Sequence, residues 1–289
     1  MRVNDEWKDY SVIKTGGGEK LERWKDVYLL RPDPQVIWPA SSKLSKFPNL
    51  NAHYIRSSTG GGYWENKKPM PAEWIVGWRD LRFKVKPMGF KHTGLFPEQA
   101  TNWAMMIDLI KKSNRPIKVL NLFAYTGGAT VACVSAGAHV THVDASKAMV
   151  ERAKENIKIS NLPQDKCRFI VDDCFKFVER EIRRGNKYDA IILDPPSFGR
   201  GPNGETWKIE NNLYDFLCVC RKVLSDDPLF ILLNSYTTGL QPTVISNLLN
   251  LTFDGLNGKA ISYEVGLKTE EGEVVLPCGC SGFIEFNKK

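Results

Sequence analysis

Five apolar runs, at residues 118–124, 139–144, 167–171, 188–193 and 229–234, alternate with segments of helical spacing such as KAMVERAKENIKIS (147–160) and LYDFLCVCRKVL (213–224). Short apolar runs without polar alternation suit strands buried on both faces, and the helical segments between them act as crossovers. Crossovers of one hand dictate an α/β fold, a doubly wound, mostly parallel sheet with helices on both faces. Near the end, ISYEVGLK and SGFIEFN read as two further strands around a turn-rich insert, which predicts seven strands with an antiparallel edge.

Residues 1–85 have another texture. Trp7, Trp24, Trp38, Trp64, Trp74 and Trp78 fall there, and extended runs such as DVYLLRP are broken by Gly16-Gly17-Gly18 and Gly60-Gly61-Gly62. The expected organisation is a small β-rich domain over 1–85 followed by a larger domain over 86–289. Tryptophan at this density suits a core, and a base-stacking platform is the alternative. From Phe90 onward the chain reads as a loop feeding a helix, with Pro97 and Glu98 in its first turn.

No apolar run approaches the roughly 18 residues of a membrane span, and the segment MRVNDEWKDY lacks a signal-peptide core, so a cytoplasmic location is expected with no membrane partner. Seven cysteines scattered along the chain suit reduced thiols better than a disulfide framework. Cys218/Cys220 falls in a helical segment and Cys278/Cys280 is placed near a turn; neither pair has a neighbouring ligand cluster, so no metal is expected. A net charge of +7 favours a polyanionic partner without demanding one.

The chemistry concentrates where strands should end. Ala124-Tyr125-Thr126-Gly127-Gly128 forms a small-residue turn whose glycines let a backbone approach a ligand, although the spacing is not that of a dinucleotide fingerprint. Asp144 ends the second strand, where a carboxylate can accept both hydroxyls of a ribose or else cap the next helix. Asp172-Asp173-Cys174 ends the third, where an acid and a following N–H can read an adenine or, again, cap a helix. Asp194-Pro195-Pro196-Ser197-Phe198 follows the fourth, and its two prolines lock an extended loop at the sheet edge.

This set resembles the class I S-adenosylmethionine-dependent methyltransferases, and NLFAYTGG, VDASKAMVERAKENIKISNL, DDCFKF and DPPSF are similar to the branch that contains bacterial 23S ribosomal RNA large-subunit enzymes. The resemblance implies a Rossmann-like fold, S-adenosyl-L-methionine as cofactor, RNA as substrate and partner, and room for a homodimer. It implies that Lys91, Thr93, Gly94 and Gln99 of KHTGLFPEQ cover the cofactor, and that Phe123, Ala124, Tyr125, Thr126 and Gly127 line its methionine part. Asp144, with Ala145 and Ser146, would hold the ribose; Asn156 would add a contact; Asp173 and Cys174 would face the adenine.

Asp194 would stand near the methyl group, with Pro195, Pro196, Phe198 and Tyr236 completing the catalytic set. The RNA-binding PUA domain that some enzymes of this branch carry is not expected within this sequence. Carbon-5 methylation of cytosine needs a thiolate, and residues 194–198 and 234–239 contain no cysteine, so nitrogen methylation is preferred. A protein or small-molecule acceptor, or a binding module without catalysis, remains the alternative. The segment 199–204 with Trp207 and Lys208 reads as a substrate lid or a plain surface excursion, and His92 as a base or a structural hydrogen-bonder.

Overall fold

The computed structural model describes residues 1–58, 60–200, 206–272 and 274–287. Two compact units emerge: one of Met1–Thr101 with Val265–Cys278, the other of Asn102–Glu264 with Gly279–Lys289. The first unit thus runs past residue 85, and the contacts that hold it there are local. Within the first unit Trp64 and Trp7 donate their indole N–H groups to the carbonyls of Met88 and Pro97, at 2.8 and 2.9 Å, which ties the segment after residue 85 to the β domain. Val12 bridges Thr269 in parallel, and Ser11 Oγ donates to Glu270 at 2.5 Å, so a stretch from the far end of the chain joins as well.

The first unit is built on a five-stranded sheet of Tyr10–Gly16, Glu19–Trp24, Val27–Pro32, Ala52–Arg56 and Gly62–Asn66 in chain order, with a separate hairpin of Trp74–Trp78 and Leu81–Val85. Trp24 and Trp78 are fully buried and the other four tryptophans of the region are half-buried, three of them with their indole N–H bonded to the protein. These side chains form core and hold strands together.

In the second unit the elements run α1 (Ala100–Lys112), β1 (Lys118–Leu122), α2 (Gly128–Ser135), β2 (His139–Asp144), α3 (Lys147–Ile159), β3 (Cys167–Val171), α4 (Cys174–Arg183) and β4 (Ala190–Leu193). They continue with α5 (Ile209–Arg221), β5 (Phe230–Ser235), α6 (Pro242–Thr252), β6 (Gly258–Lys268) and β7 (Val275–Phe286). The strand order is β6-β7-β5-β4-β1-β2-β3; Val265–Cys278, from β6 into β7, counts with the first unit, where Val265 and Gly266 pair with the two-residue strand Arg2–Val3. Pairings among β1 to β5 are parallel; β7 runs antiparallel to β5 and sits one place in from β6. Cys278-Gly279-Cys280, expected near a turn, lies inside β7, because the bend comes earlier, around Thr269–Gly272.

The inner strands β4 and β5 are buried throughout, as a sheet covered on both faces requires. Leu120, Leu122, Ile191, Leu193, Ile231 and Leu233 pack with Phe216, Leu217, Ile245 and Leu249 of the covering helices. From β1 the chain winds one way to β2 and β3, and the other way to β4 and β5. Between β1 and β4 the order reverses, and the crevice at the carboxyl ends of those strands is where a ligand fits an open α/β sheet.

Candidate active site

Every motif picked out in the second unit reaches that carboxyl edge, because β1 to β5 are parallel. The turn after β1 is conformationally unusual: Phe123 and Tyr125 have φ of 55° and 50°, and Gly127 has 81°. Left-handed backbone at two side-chain-bearing residues costs free energy and persists only where neighbours hold it. The neighbours are Cys174 Sγ, accepting from Phe123 N–H at 3.3 Å, the Val143 carbonyl, accepting from Ala124 N–H at 3.0 Å, and Asp144 Oδ2, accepting from Tyr125 N–H at 2.8 Å.

The glycines of this turn are needed for packing. A Cβ on Gly127 would come within 2.8 Å of Ala153 Cβ, and one on Gly128 within 2.6 Å of the Trp103 ring. On the side where a Cβ would project, their close approach is to α3 and α1. Asn156, expected to touch the cofactor, is fully buried and donates to the Thr126 carbonyl at 2.8 Å, so it holds the turn from beneath. His142 lies behind the same turn with Nδ1 at 2.9 Å from Thr130 Oγ1, which also accepts from Asn121; burial pushes the ring down to about 3, so it is neutral.

Asp144 is half-buried. Its Oδ1 accepts from Ser146 N–H at 2.8 Å, so its two protein bonds join the β1 turn to its own loop and neither caps α3. Desolvation raises its pKa, against the pull of the two N–H groups. Two acceptor directions of the carboxylate remain beyond those bonds, which fits a diol, and Ala145 and Ser146 form an exposed rim after it.

Asp173 is the N-cap of α4 and accepts from Lys176 N–H at 2.9 Å, so capping takes one of its oxygens. Asp172 accepts from Asp173 N–H and pairs with Arg180. The Cys174 thiol is buried beneath Phe123, and burial pushes its pKa far up. Sequence reasoning left capping and adenine contact open for Asp173, and the side chain performs the first.

The loop after β4 is braced from three sides. Pro196 carbonyl accepts from the Trp207 indole at 2.6 Å, Ser197 carbonyl accepts from Ile209 N–H at the start of α5, and Ser197 Oγ meets Thr237 Oγ1 at 2.6 Å. Asp194 is half-buried, Pro195 buried, and Phe198 is 52% exposed. Tyr236, after β5, packs its ring over Gly279, where a Cβ would come within 2.9 Å of it. Trp207, read from sequence only as part of an insert, also packs 5.5 Å from Phe123 and joins the loops after β1 and β4. Residues 201–205, the body of the expected lid, lie outside the described residues.

Lys91, Thr93, Gly94 and Gln99 belong to the first unit. There Lys91 Nζ donates to the Pro32 carbonyl at 3.2 Å, Arg31 donates to the Lys91 carbonyl at 2.8 Å, and Gln99 is buried. Thr93 is fully buried with Oγ1 lacking a partner among the described residues, the kind of group a ligand can satisfy. Burial pushes Lys91 down to about 8 and His92 down to about 4, so His92 is a poor base at neutral pH.

A family model described as S-adenosylmethionine-dependent methyltransferase matches residues 35–218. A ribosomal RNA large subunit methyltransferase K/L of Shewanella frigidimarina is 33% identical over 240 residues, 80% of this chain and 32% of that protein. A putative ribosomal RNA large subunit methyltransferase of Methanocaldococcus jannaschii is 39% identical over 128 residues, 44% of this chain and 32% of that one. The chain thus spans about a third of the length of these relatives. Among solved structures, a SAM-dependent methyltransferase from Agrobacterium tumefaciens is 35% identical with a TM-score of 0.91, over 98% of this chain and 92% of that one.

Proposed function

The chain belongs to the S-adenosylmethionine-dependent methyltransferase family, and on that premise we propose that it methylates a nitrogen of a base in ribosomal RNA. The relatives named as ribosomal RNA methyltransferases support the substrate, and the cytoplasm follows as the compartment. When bound, the cofactor supplies a methyl group on a sulfonium, already activated for in-line displacement. Asp144 holds the ribose through its unused acceptor directions, the second oxygen of Asp173 and the Cys174 main chain face the adenine, and the β1 turn carries the methionine part. Asp194 accepts a hydrogen bond from the target nitrogen and orients its lone pair, and Phe198 stacks on the base.

The observation that carries the choice of nitrogen is the paired loops after β4 and β5, joined by Ser197 and Thr237 and lacking a thiol. Cys280 stands opposite Ser235 in the β5/β7 ladder, but its thiol donates to the Leu240 carbonyl at 3.4 Å, and burial raises its pKa. A thiol held protonated cannot add to a pyrimidine. A nitrogen acceptor needs orientation and a place for its proton, which Asp194 provides.

The test is incubation of the purified protein with methyl-labelled cofactor and separate pools of ribosomal RNA, protein and small metabolites, followed by mass analysis of nucleosides. The expected product is an N-methylated nucleoside. Label confined to protein or metabolites overturns the RNA acceptor, and a C5-methylpyrimidine overturns the nitrogen.

A further inference from the structure

We propose that Asn234 determines base specificity: its side-chain amide donates a hydrogen bond to an acceptor atom of the target base, beside the nitrogen that Asp194 holds. The proposal deepens the nitrogen-methylation reading and rests on it.

Asn234 precedes the last residue of β5 and is only 4% exposed. A one-way relay fixes its side chain. The Tyr263 hydroxyl donates to Asn102 Oδ1 at 2.8 Å, which makes the other end of Asn102 the donor. That nitrogen donates to Ser281 Oγ at 2.9 Å, and the Ser281 hydroxyl spends its proton on Asn234 Oδ1 at 2.7 Å. Asn102 Nδ2 also reaches the same oxygen at 3.3 Å. An amide nitrogen cannot accept and a hydroxyl has one proton, so the direction cannot reverse from Asn102 onward. The relay turns the Asn234 carbonyl towards Ser281 and Asn102 and leaves Nδ2, with two protons, no acceptor among the described residues.

The residue is buried but its Nδ2 is not among the sealed, partnerless atoms, so that donor is open to an incoming acceptor. Its position says what the partner is. Leu193 of β4 pairs with Leu233 of β5 in parallel register, so Asp194 and Asn234 are the next residues on adjacent strands. Residues paired in this way sit about 4.8 Å apart and share a face. A carboxylate that accepts therefore stands beside an amide that donates. That pair fits a base edge on which N–H lies next to an acceptor: the amino and ring nitrogens of adenine or cytosine, or N1–H and O6 of guanine.

The test uses the full-length protein, methyl-labelled cofactor and ribosomal RNA oligonucleotides, with the methylated base exchanged for an analogue whose neighbouring acceptor is missing or weakened. The analogues are 1-deazaadenosine, 3-deazacytidine or 6-thioguanosine, the last keeping N1–H while its sulfur is a much weaker acceptor than O6. Wild type is expected to lose about 10- to 100-fold in kcat/KM on the analogue. Asn234→Asp and Asn234→Ala are expected to lose about as much on the natural base and nothing further on the analogue, with S-adenosylhomocysteine affinity unchanged in calorimetry. Ser281→Ala keeps the amide but frees it to rotate, so partial loss of discrimination is expected, and this variant carries the test should the others fail to fold. Asn234 variants that discriminate as wild type does, or that lose S-adenosylhomocysteine affinity in step with kcat/KM, overturn the proposal. A wild type that labels no RNA fails the parent reading first, and the inference with it.

Discussion

At the scale of the residue, Asp144 shows how one side chain serves fold and ligand together. Its two protein bonds tie the β1 turn to the β2 loop, and desolvation holds its pKa above the ordinary 3.8. The sign of the consequence follows from linkage: a carboxylate with a raised folded pKa is a cost to folding at neutral pH, relieved as pH falls through that value. Ribose hydroxyls need the ionised form as acceptor. Cofactor affinity is therefore expected to fall on acidification, starting above pH 3.8, while Asp144→Asn binds weakly at every pH with no such inflection. Calorimetric titration with S-adenosylhomocysteine across pH checks this, and parallel profiles for the two proteins would count against a ribose contact. Asp144 was legible in the sequence because it ends an apolar run. Asp173 was legible only as a choice between roles, since an acid at the start of a helix suits both.

Among the elements, the strand Val27–Pro32 carries a buried charge cluster that sequence reading did not find. Glu22 is fully buried; Arg31 grips both its oxygens, at 2.5 and 2.7 Å, and Tyr10 donates to it at 2.8 Å. Burial, the largest influence, pushes the Glu22 carboxyl up, but Arg31 and Lys20 outweigh it and hold it below its usual range. The same guanidinium donates to the Lys91 carbonyl, which fixes KHTGLFPEQ to this strand. Arg31→Met leaves Glu22 buried without its main partner and is expected to cost about 3–5 kcal/mol in urea unfolding, with much of the loss recovered by adding Glu22→Leu. A depressed carboxylate pKa contributes stability that is lost as pH falls through its folded value, so the variant's deficit shrinks in acid. Equal stability of Arg31→Met and wild type at neutral pH would refute this account. A lone glutamate and arginine nine residues apart carry no signal in one dimension; hairpin pairing brings them together.

For the whole molecule, the division into units governs what can be cut. Deleting residues 1–85 follows the boundary suggested by sequence texture, yet it strips Val12 from Thr269, Ser11 from Glu270, and Trp7 and Trp64 from the segment after residue 85. The 86–289 fragment is expected to aggregate, with no soluble species in gel filtration, because it exposes apolar surface and strand edges that the first unit covers internally. A soluble fragment that still binds S-adenosylhomocysteine would restore the sequence boundary.

What the sequence determined by itself is whatever depends on neighbours along the chain. The apolar runs and helical spacings fixed the order of strands and helices, and the parallel sheet then brought Asp144, Asp173, Asp194 and Tyr236 to one edge. The tertiary structure decided everything that depends on residues far apart in sequence. It turned Gly127 and Gly128 into packing positions against Ala153 and Trp103, placed Asn156 under the turn, spent one Asp173 oxygen on a helix cap, and set Trp207 across two loops. It assembled Tyr263, Asn102, Ser281 and Asn234 from four segments into one relay. The physical reason is that hydrophobic period is a local property, whereas hydrogen-bond saturation and side-chain packing are settled only when distant segments meet.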